Sequence, residues 1–162
     1  MTTEWLTNNQ QRAWRAYLLG STLLIERLDR DLREKHGLSL PEYEILVRLS
    51  EAPDRSLRMA ELADSVKNSR SRITHTVTRL ERAGLVERRQ CPSDGRGVCA
   101  LMTDMGYDRL VTAAPEHVAS VRTALIDVVS PTDLEAIHRA FLAVADKLQT
   151  QVRDRSLSEQ PA

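Results

Sequence analysis

Apolar positions recur along this chain at helical spacing, and polar breaks divide them into segments. From about Asn9 to His36, Ala13, Trp14, Tyr17, Leu18, Ser21, Leu24, Ile25, Leu28 and Leu32 share one side, the recurrence of an amphipathic helix, and Gly37 ends it. Ser39-Leu40-Pro41-Glu42 reads as a capping box with proline in the first turn, opening a helix through Ser50 that Ala52-Pro53-Asp54 breaks. A short helix at Met59–Ala63, capped near Ser56, leads through a turn at Asp64–Asn68 to a helix capped by Asn68 or Ser69. In that helix Ile73, Val77 and Leu80 form one buried stripe, and Gly84 ends it. The period then changes to that of strands: Leu85–Arg89, a turn-rich tip at Pro92–Gly97, and a return strand at Val98–Met102.

Past the hairpin, Thr103-Asp104 caps a helix from about Met105 towards Val128, with Pro115 inside it. Proline there removes a backbone hydrogen bond and predicts a bend or split near Ala113. Ser130-Pro131-Thr132-Asp133 opens the last helix, and Leu134, Ile137, Phe141, Val144, Ala145 and Leu148 give it an apolar stripe to about Val152. Residues 1–8 and 153–162 are expected to be flexible ends.

Helix, tight turn, helix and a hairpin form a DNA-reading pattern. On a helical wheel the side opposite Ile73, Val77 and Leu80 carries Ser71, His75, Thr78 and Arg82, flanked by Arg72 and Arg79, and no acid occurs between Ser69 and Leu80. A merely solvated face mixes signs so that acids and bases pair. Hydroxyls, imidazole and guanidinium suit a major groove, where arginine reaches guanine edges or phosphates and small residues allow close approach. The residues assigned to DNA are Ser69, Arg70, Ser71, Arg72, Thr74, His75, Thr78 and Arg79, with Arg88 beside the hairpin. Arg70 lies closer to the buried side, and pairing with Glu61 or Asp64 is its alternative.

The run from Ser69 to Arg88, followed by Pro92-Ser93-Asp94-Gly95-Arg96-Gly97 and Leu101-Met102-Thr103, resembles the winged helix-turn-helix of the MarR family of bacterial transcription regulators. The resemblance implies a wing arginine, Arg96, in the minor groove and an aspartate, Asp94, holding it. Gly95 stands where that family usually has Arg or Lys, and Met102 where Leu is usual. The implied fold is mainly α with a small β-hairpin wing: a DNA-binding domain over 39–103, and interlocking dimerisation helices from 9–36 and 104–152. A homodimer reading a pseudo-palindromic operator follows, with repression the usual outcome in the family. The resemblance further implies release by a small aromatic or phenolic effector, in a cavity involving Trp14, Tyr17, Tyr43 and His36. Dimer core is the alternative reading for Trp14 and Tyr17.

Charge sharpens this picture. The chain carries 23 Lys or Arg and 23 Asp or Glu, yet Arg55–Arg96 holds ten of the former against five of the latter. Positive charge thus concentrates where a nucleic acid would lie. A non-specific architectural protein would use the same basic surface without choosing a sequence.

No catalytic elbow, phosphate loop, dinucleotide turn or metal spacing is present, so neither an enzyme nor a cofactor or metal site is expected. Without an apolar run of membrane length or a signal core, the expected compartment is the cytoplasm. His117 and His138 read as ordinary core or surface histidines. If the hairpin pairs about Gly95, Cys91 and Cys99 lie opposite one another on one face, within reach of a disulfide. Two reduced thiols and a redox-responsive wing are both open.

Overall fold

The computed structural model describes residues 3–66, 69–91 and 97–158. Asn68, Asp94 and Arg96 therefore lie outside the described residues. The chain divides into two compact units, Met1–Ser120 and Val121–Ala162.

In the first unit, α1 spans Asn8–His36. Thr7 caps it through a capping box, its Oγ1 accepting from the Gln10 amide at 3.3 Å, and Gly37 ends it at φ 66°. Helix α2 spans Leu40–Glu51 with the expected Ser39–Glu42 box: the Glu42 carboxylate accepts from both the amide and the hydroxyl of Ser39 at 2.7 Å. After a 3-10 turn at Pro53–Arg55, the chain forms a strand, β1, at Ser56–Arg58. The cap expected at or close to Ser56 falls on Arg58, whose amide donates to Glu61 at 3.2 Å. Helix α3 is Met59–Ser65 and α4 is Arg70–Arg82. Strands β2, Val86–Gln90, and β3, Val98–Met102, complete an antiparallel three-stranded sheet in the order β1-β3-β2.

The core of this unit lies where α2, α3, α4 and the sheet meet. Leu46, Leu49, Leu62, Val77 and Ala100 have no exposed surface, and Ile45, Leu80 and Val86 have 1 %. Burying each large side chain of this kind stabilises by about 1.5–3 kcal/mol, so the α4 stripe anchors that helix while its other side stays outside.

Helix α5 runs Asp104–Val121 without a break at Pro115, and a π turn follows at Arg122–Ile126. The expected split near Ala113 is absent because tertiary contacts hold both sides of the proline. Ala113 is fully buried. Beyond it Glu116 meets Lys35 at 3.0 Å, and the Ser120 hydroxyl donates to Asp31 at 2.9 Å. Upstream, the Thr103 hydroxyl donates to the Gly84 carbonyl at 2.8 Å and accepts from the Gly106 amide at 3.0 Å, tying the start of α5 to the end of α4.

The second unit starts at Val121 and comprises the π turn and α6, Pro131–Ser158, which continues beyond Val152. Ser130 opens it as expected, accepting from the Asp133 amide at 3.1 Å. Ile137, Phe141, Leu142, Val144 and Leu148 are at least one third exposed along it.

Candidate nucleic-acid interface

Ser69 caps α4 by accepting from the Arg72 amide at 3.3 Å. With the stripe of Ile73, Val77 and Leu80 held in the core, Ser69, Arg70, Ser71, Arg72, Thr74 and His75 are all exposed. Thr74 donates its hydroxyl to the Arg70 carbonyl and Thr78 to the Thr74 carbonyl, both at 2.8 Å. Those donors are thereby spent within the helix, and what the hydroxyls can offer outward is acceptor capacity. Arg70 makes no ion pair with Glu61 or Asp64 among the described residues; it lines a 310 Å³ cleft with Arg58, Thr74 and Val98 between α4, α3 and β3.

Two arginines assigned to DNA from sequence are engaged within the protein. Arg88 on β2 reaches back to α4: one guanidinium nitrogen donates to Glu81 at 2.8 Å, and the other to the Thr74 carbonyl at 2.8 Å and the Thr78 hydroxyl at 2.9 Å. Its backbone amide donates to Glu81 as well, at 3.3 Å. Arg79 leans towards α2, where its Nε lies 3.1 Å from the buried Glu42 carboxylate. Neither partner adjoins in sequence, so a wheel drawn for α4 alone does not find them. Arg82 and Arg89 are exposed, Arg89 pairing with Glu87 at 2.9 Å.

The four residues assigned to an effector cavity do not meet within the unit. Tyr43 lines a cleft of 470 Å³ together with Leu28, Glu44, Val47, Arg48, Val66 and His117. Trp14 and Tyr17 neighbour each other on α1 with ring centroids 5.8 Å apart, but both are exposed and neither lines that cleft. At about 1.5 Å per residue they lie well up the helix from Ile25, the nearest α1 residue at the cleft, while His36 lies as far beyond it at the other end. His36 instead faces Glu116, with Nε2 3.6 Å from its carboxylate.

Sequence reasoning did not place His117 at this cleft; its ring packs on Tyr43 with centroids 4.4 Å apart, and its buried Nδ1 has no hydrogen-bond partner among the described residues. Burial holds its pKa below the ordinary imidazole value and pushes the Tyr43 phenol up. Desolvation likewise raises the Glu44 carboxyl, partly offset by Arg48. The only signal for this set was the spacing of Tyr43, Glu44, Val47 and Arg48 along one side of α2.

The hairpin register differs from expectation. Arg89 pairs with Cys99 and Gln90 with Val98, and the Cys91 amide donates to the Gly97 carbonyl at 2.9 Å. Pairing is thus centred on position 94 rather than Gly95. Cys91 and Cys99 are diagonal neighbours instead of opposite ones. They nevertheless share a face, with Cα atoms 5.2 Å apart and the sulfurs joined in a disulfide. Among the described residues no cluster of metal-ligating side chains occurs, and no helix is long and apolar enough to cross a membrane.

Comparison with known proteins agrees with this geometry. The MarR family model matches residues 38–98, the stretch from the start of α2 to the return strand. The structure is similar to that of Sco3205, a MarR family transcriptional regulator from Streptomyces coelicolor solved in complex with DNA. The two are 44 % identical with a TM-score of 0.88, over 91 % of this chain and 92 % of that one. AbsC, a MarR family transcriptional regulator of the same organism, is 42 % identical with a TM-score of 0.87, over 91 % of this chain and 99 % of the other. The transcriptional regulator PecS of Dickeya dadantii is 31 % identical over 130 residues, 78 % of this chain and 75 % of PecS.

Proposed function

The chain belongs to the MarR family of transcription regulators, and from that premise we propose that it is a repressor binding a pseudo-palindromic operator as a homodimer. Base and phosphate contacts come from Ser69, Arg70, Ser71, Arg72, Thr74 and His75 on α4, joined by Arg96, to which the family resemblance assigns the minor groove. The observation that carries this reading is the acid-free face of α4, exposed along its first half and backed by a fully buried stripe. A rigid helix presenting hydroxyls, an imidazole and guanidiniums can dock as one body into a major groove.

Dimer formation is supported by apolar surface in each unit taken separately. On α1, Trp14, Leu19, Leu23 and Ile25 are more than half exposed, as are Leu142, Val144 and Leu148 on α6. Large apolar residues left this exposed along two helices suit association surfaces, and a two-fold dimer places two recognition helices about one helical turn apart.

The Tyr43 cleft is the place for an effector. It offers an apolar wall with a few polar groups, the usual make-up of a small-molecule site, and it adjoins the end of α3 at Ser65 and the capping residue Val66. An aromatic ligand stacking beside Tyr43 and His117 would bear on the helix pair that positions α4.

The test is affinity for DNA upstream of the protein's own gene against scrambled DNA of equal length, at two salt concentrations, for wild type and Arg72→Ala. A preference for the upstream DNA that survives added salt and weakens in the variant is expected. Equal binding to both DNAs, falling with salt alone, would replace the operator reading with that of a non-specific architectural protein.

A further inference from the structure

We propose that Glu42 restrains DNA binding: its carboxylate holds Arg79 of the recognition helix away from the DNA backbone, so that the protein makes fewer phosphate contacts than its surface charge allows. The docking of α4 on DNA is taken from the proposed function above; the restraint itself is measurable on any DNA.

Arg79 stands on the outward side of α4. It follows Arg72 by seven residues and His75 by four, so it projects within about 20° and about 40° of them and lies about 10 Å beyond Arg72 along the helix axis. It belongs to the same stripe, and its side chain is 54 % exposed. Along the chain that stripe meets no acid between Ser69 and Leu80. The fold supplies one from another element: Glu42, at the start of α2, whose Oε1 lies 3.1 Å from the Arg79 Nε.

The Glu42 carboxylate is fixed in place. Its Oε2 accepts from both the amide and the hydroxyl of Ser39 at 2.7 Å, which leaves Oε1 for α4. The Glu42 side chain is only 7 % exposed, so water does little to stabilise its charge, and the cation it meets is Arg79. The charge of Arg33 on α1 also acts on Glu42, but the Arg33 Nε donates to Asp29 at 2.6 Å. Asp29 accepts from the Leu40 amide as well, at 2.8 Å. Both members of that pair are engaged, and neither takes the place of Glu42 or of Arg79.

Moving Arg79 to a phosphate would exchange one ion pair for another and leave a buried carboxylate without its cation, a state that offsets much of what the phosphate contributes. Arg79 therefore adds little to DNA affinity while Glu42 carries its charge. The effect falls on sequence-independent binding, which follows the number of phosphates neutralised and acts at every competing site of a genome. Glu42 acts through Arg79 and is a positioning residue, not a DNA contact.

The experiment uses the full chain as wild type, Glu42→Gln, Arg79→Ala and the double variant, with affinity for the upstream and scrambled DNAs measured at several salt concentrations. Glutamine at this third helical position still accepts from the Ser39 amide in a capping box, so Glu42→Gln removes the charge and keeps the cap. We expect Glu42→Gln to raise affinity for both DNAs about five- to tenfold at low salt and to steepen the salt slope by about one unit for each Arg79 that reaches a phosphate. Arg79→Ala should leave the wild-type slope unchanged, and Glu42→Gln should have no effect on the slope once Arg79 is replaced. An unchanged slope in Glu42→Gln would overturn the restraint. The same gain in the Arg79→Ala background would overturn it too, since the Glu42 charge would then repel DNA directly. A shallower slope in Arg79→Ala alone would make Arg79 a phosphate contact of the wild type, again against the restraint, and this arm does not depend on the folding of Glu42→Gln. Failure of every protein to prefer upstream DNA would instead count against operator reading, with the slopes on scrambled DNA still deciding the role of Glu42.

Discussion

Arg88 and Glu81 join the wing to the recognition helix: the Arg88 guanidinium on β2 donates to the Glu81 carboxylate on α4 at 2.8 Å, while its other nitrogen donates to Thr74 and Thr78. An arginine that sequence places on the DNA therefore sets the position of the helix that reads it. The Arg88 side chain is 24 % exposed and its partner 39 %, so the pair is only partly screened by solvent.

Replacing Arg88 by alanine is expected to lower stability by about 1.5–3 kcal/mol, the range for hydrogen bonds to charged groups. The dependence of DNA affinity on salt should stay unchanged in that variant, because no phosphate contact is lost. Arg72→Ala should reduce the salt slope by about one unit per lost phosphate contact. Binding titrations at several salt concentrations distinguish the two; a reduced slope in Arg88→Ala would make it a phosphate contact after all.

Glu42 is buried, accepts two hydrogen bonds from Ser39 and also meets Arg79 at 3.1 Å. Glu42→Ala removes the carboxylate half of the α2 capping box and the tether of α4 together, and should cost about 1–3 kcal/mol in urea unfolding. Arg79→Ala leaves the cap intact, and with the Arg79 side chain 54 % exposed it should cost no more than about 1 kcal/mol. Equal losses would show that the Glu42 half of the box contributes little.

Gly106 packs its Cα against the backbone at the end of α4: an added Cβ would stand 2.1 Å from the Leu85 carbonyl oxygen. Backbone cannot yield there without moving the start of β2. Gly106→Ala should therefore destabilise by at least about 2 kcal/mol. At Gly84, φ is +72° and the crowding atom is the end of the Met105 side chain. Gly84→Ala should cost about 1–2 kcal/mol, the penalty of a left-handed conformation. Thermal unfolding of the two variants tests the order.

Burial holds the His117 imidazole below its ordinary 6.5, so the unfolded chain takes up the proton more readily than the folded one. The contribution of His117 to stability is full above about pH 6.5 and is lost as pH falls through 6.5 towards the lower folded value. Glu44, raised above 4.5 by desolvation, acts with the opposite sign: its contribution is full in acid and lost as pH rises through the raised value. Between about pH 7.5 and 5.5 the unfolding temperature of wild type should fall more steeply than that of His117→Gln. Parallel profiles would remove His117 as the cause.

Much of the fold was legible because its devices are local. The Ser39–Glu42 box, the Ser69 cap, the glycine stops and the stripe of Ile73, Val77 and Leu80 involve residues within two turns of one another, and all stand as read. Strand β1 was not legible: three residues are too few to show a period, and Ser56–Arg58 is extended because β3 pairs with it.

The same division holds at the candidate site. Sequence by itself determined the family, the helix that faces outward and the acid-free character of its surface, since these follow from periodicity and residue chemistry along one segment. Only the tertiary structure decided that Arg88 and Thr78 turn towards each other, that Arg79 reaches Glu42, that Tyr43 shares its cleft with His117 and that the two cysteines bond diagonally. Each of those outcomes depends on which segments pack side by side. A charge or a thiol takes the partner that packing brings within a few ångströms, however far away it lies along the chain.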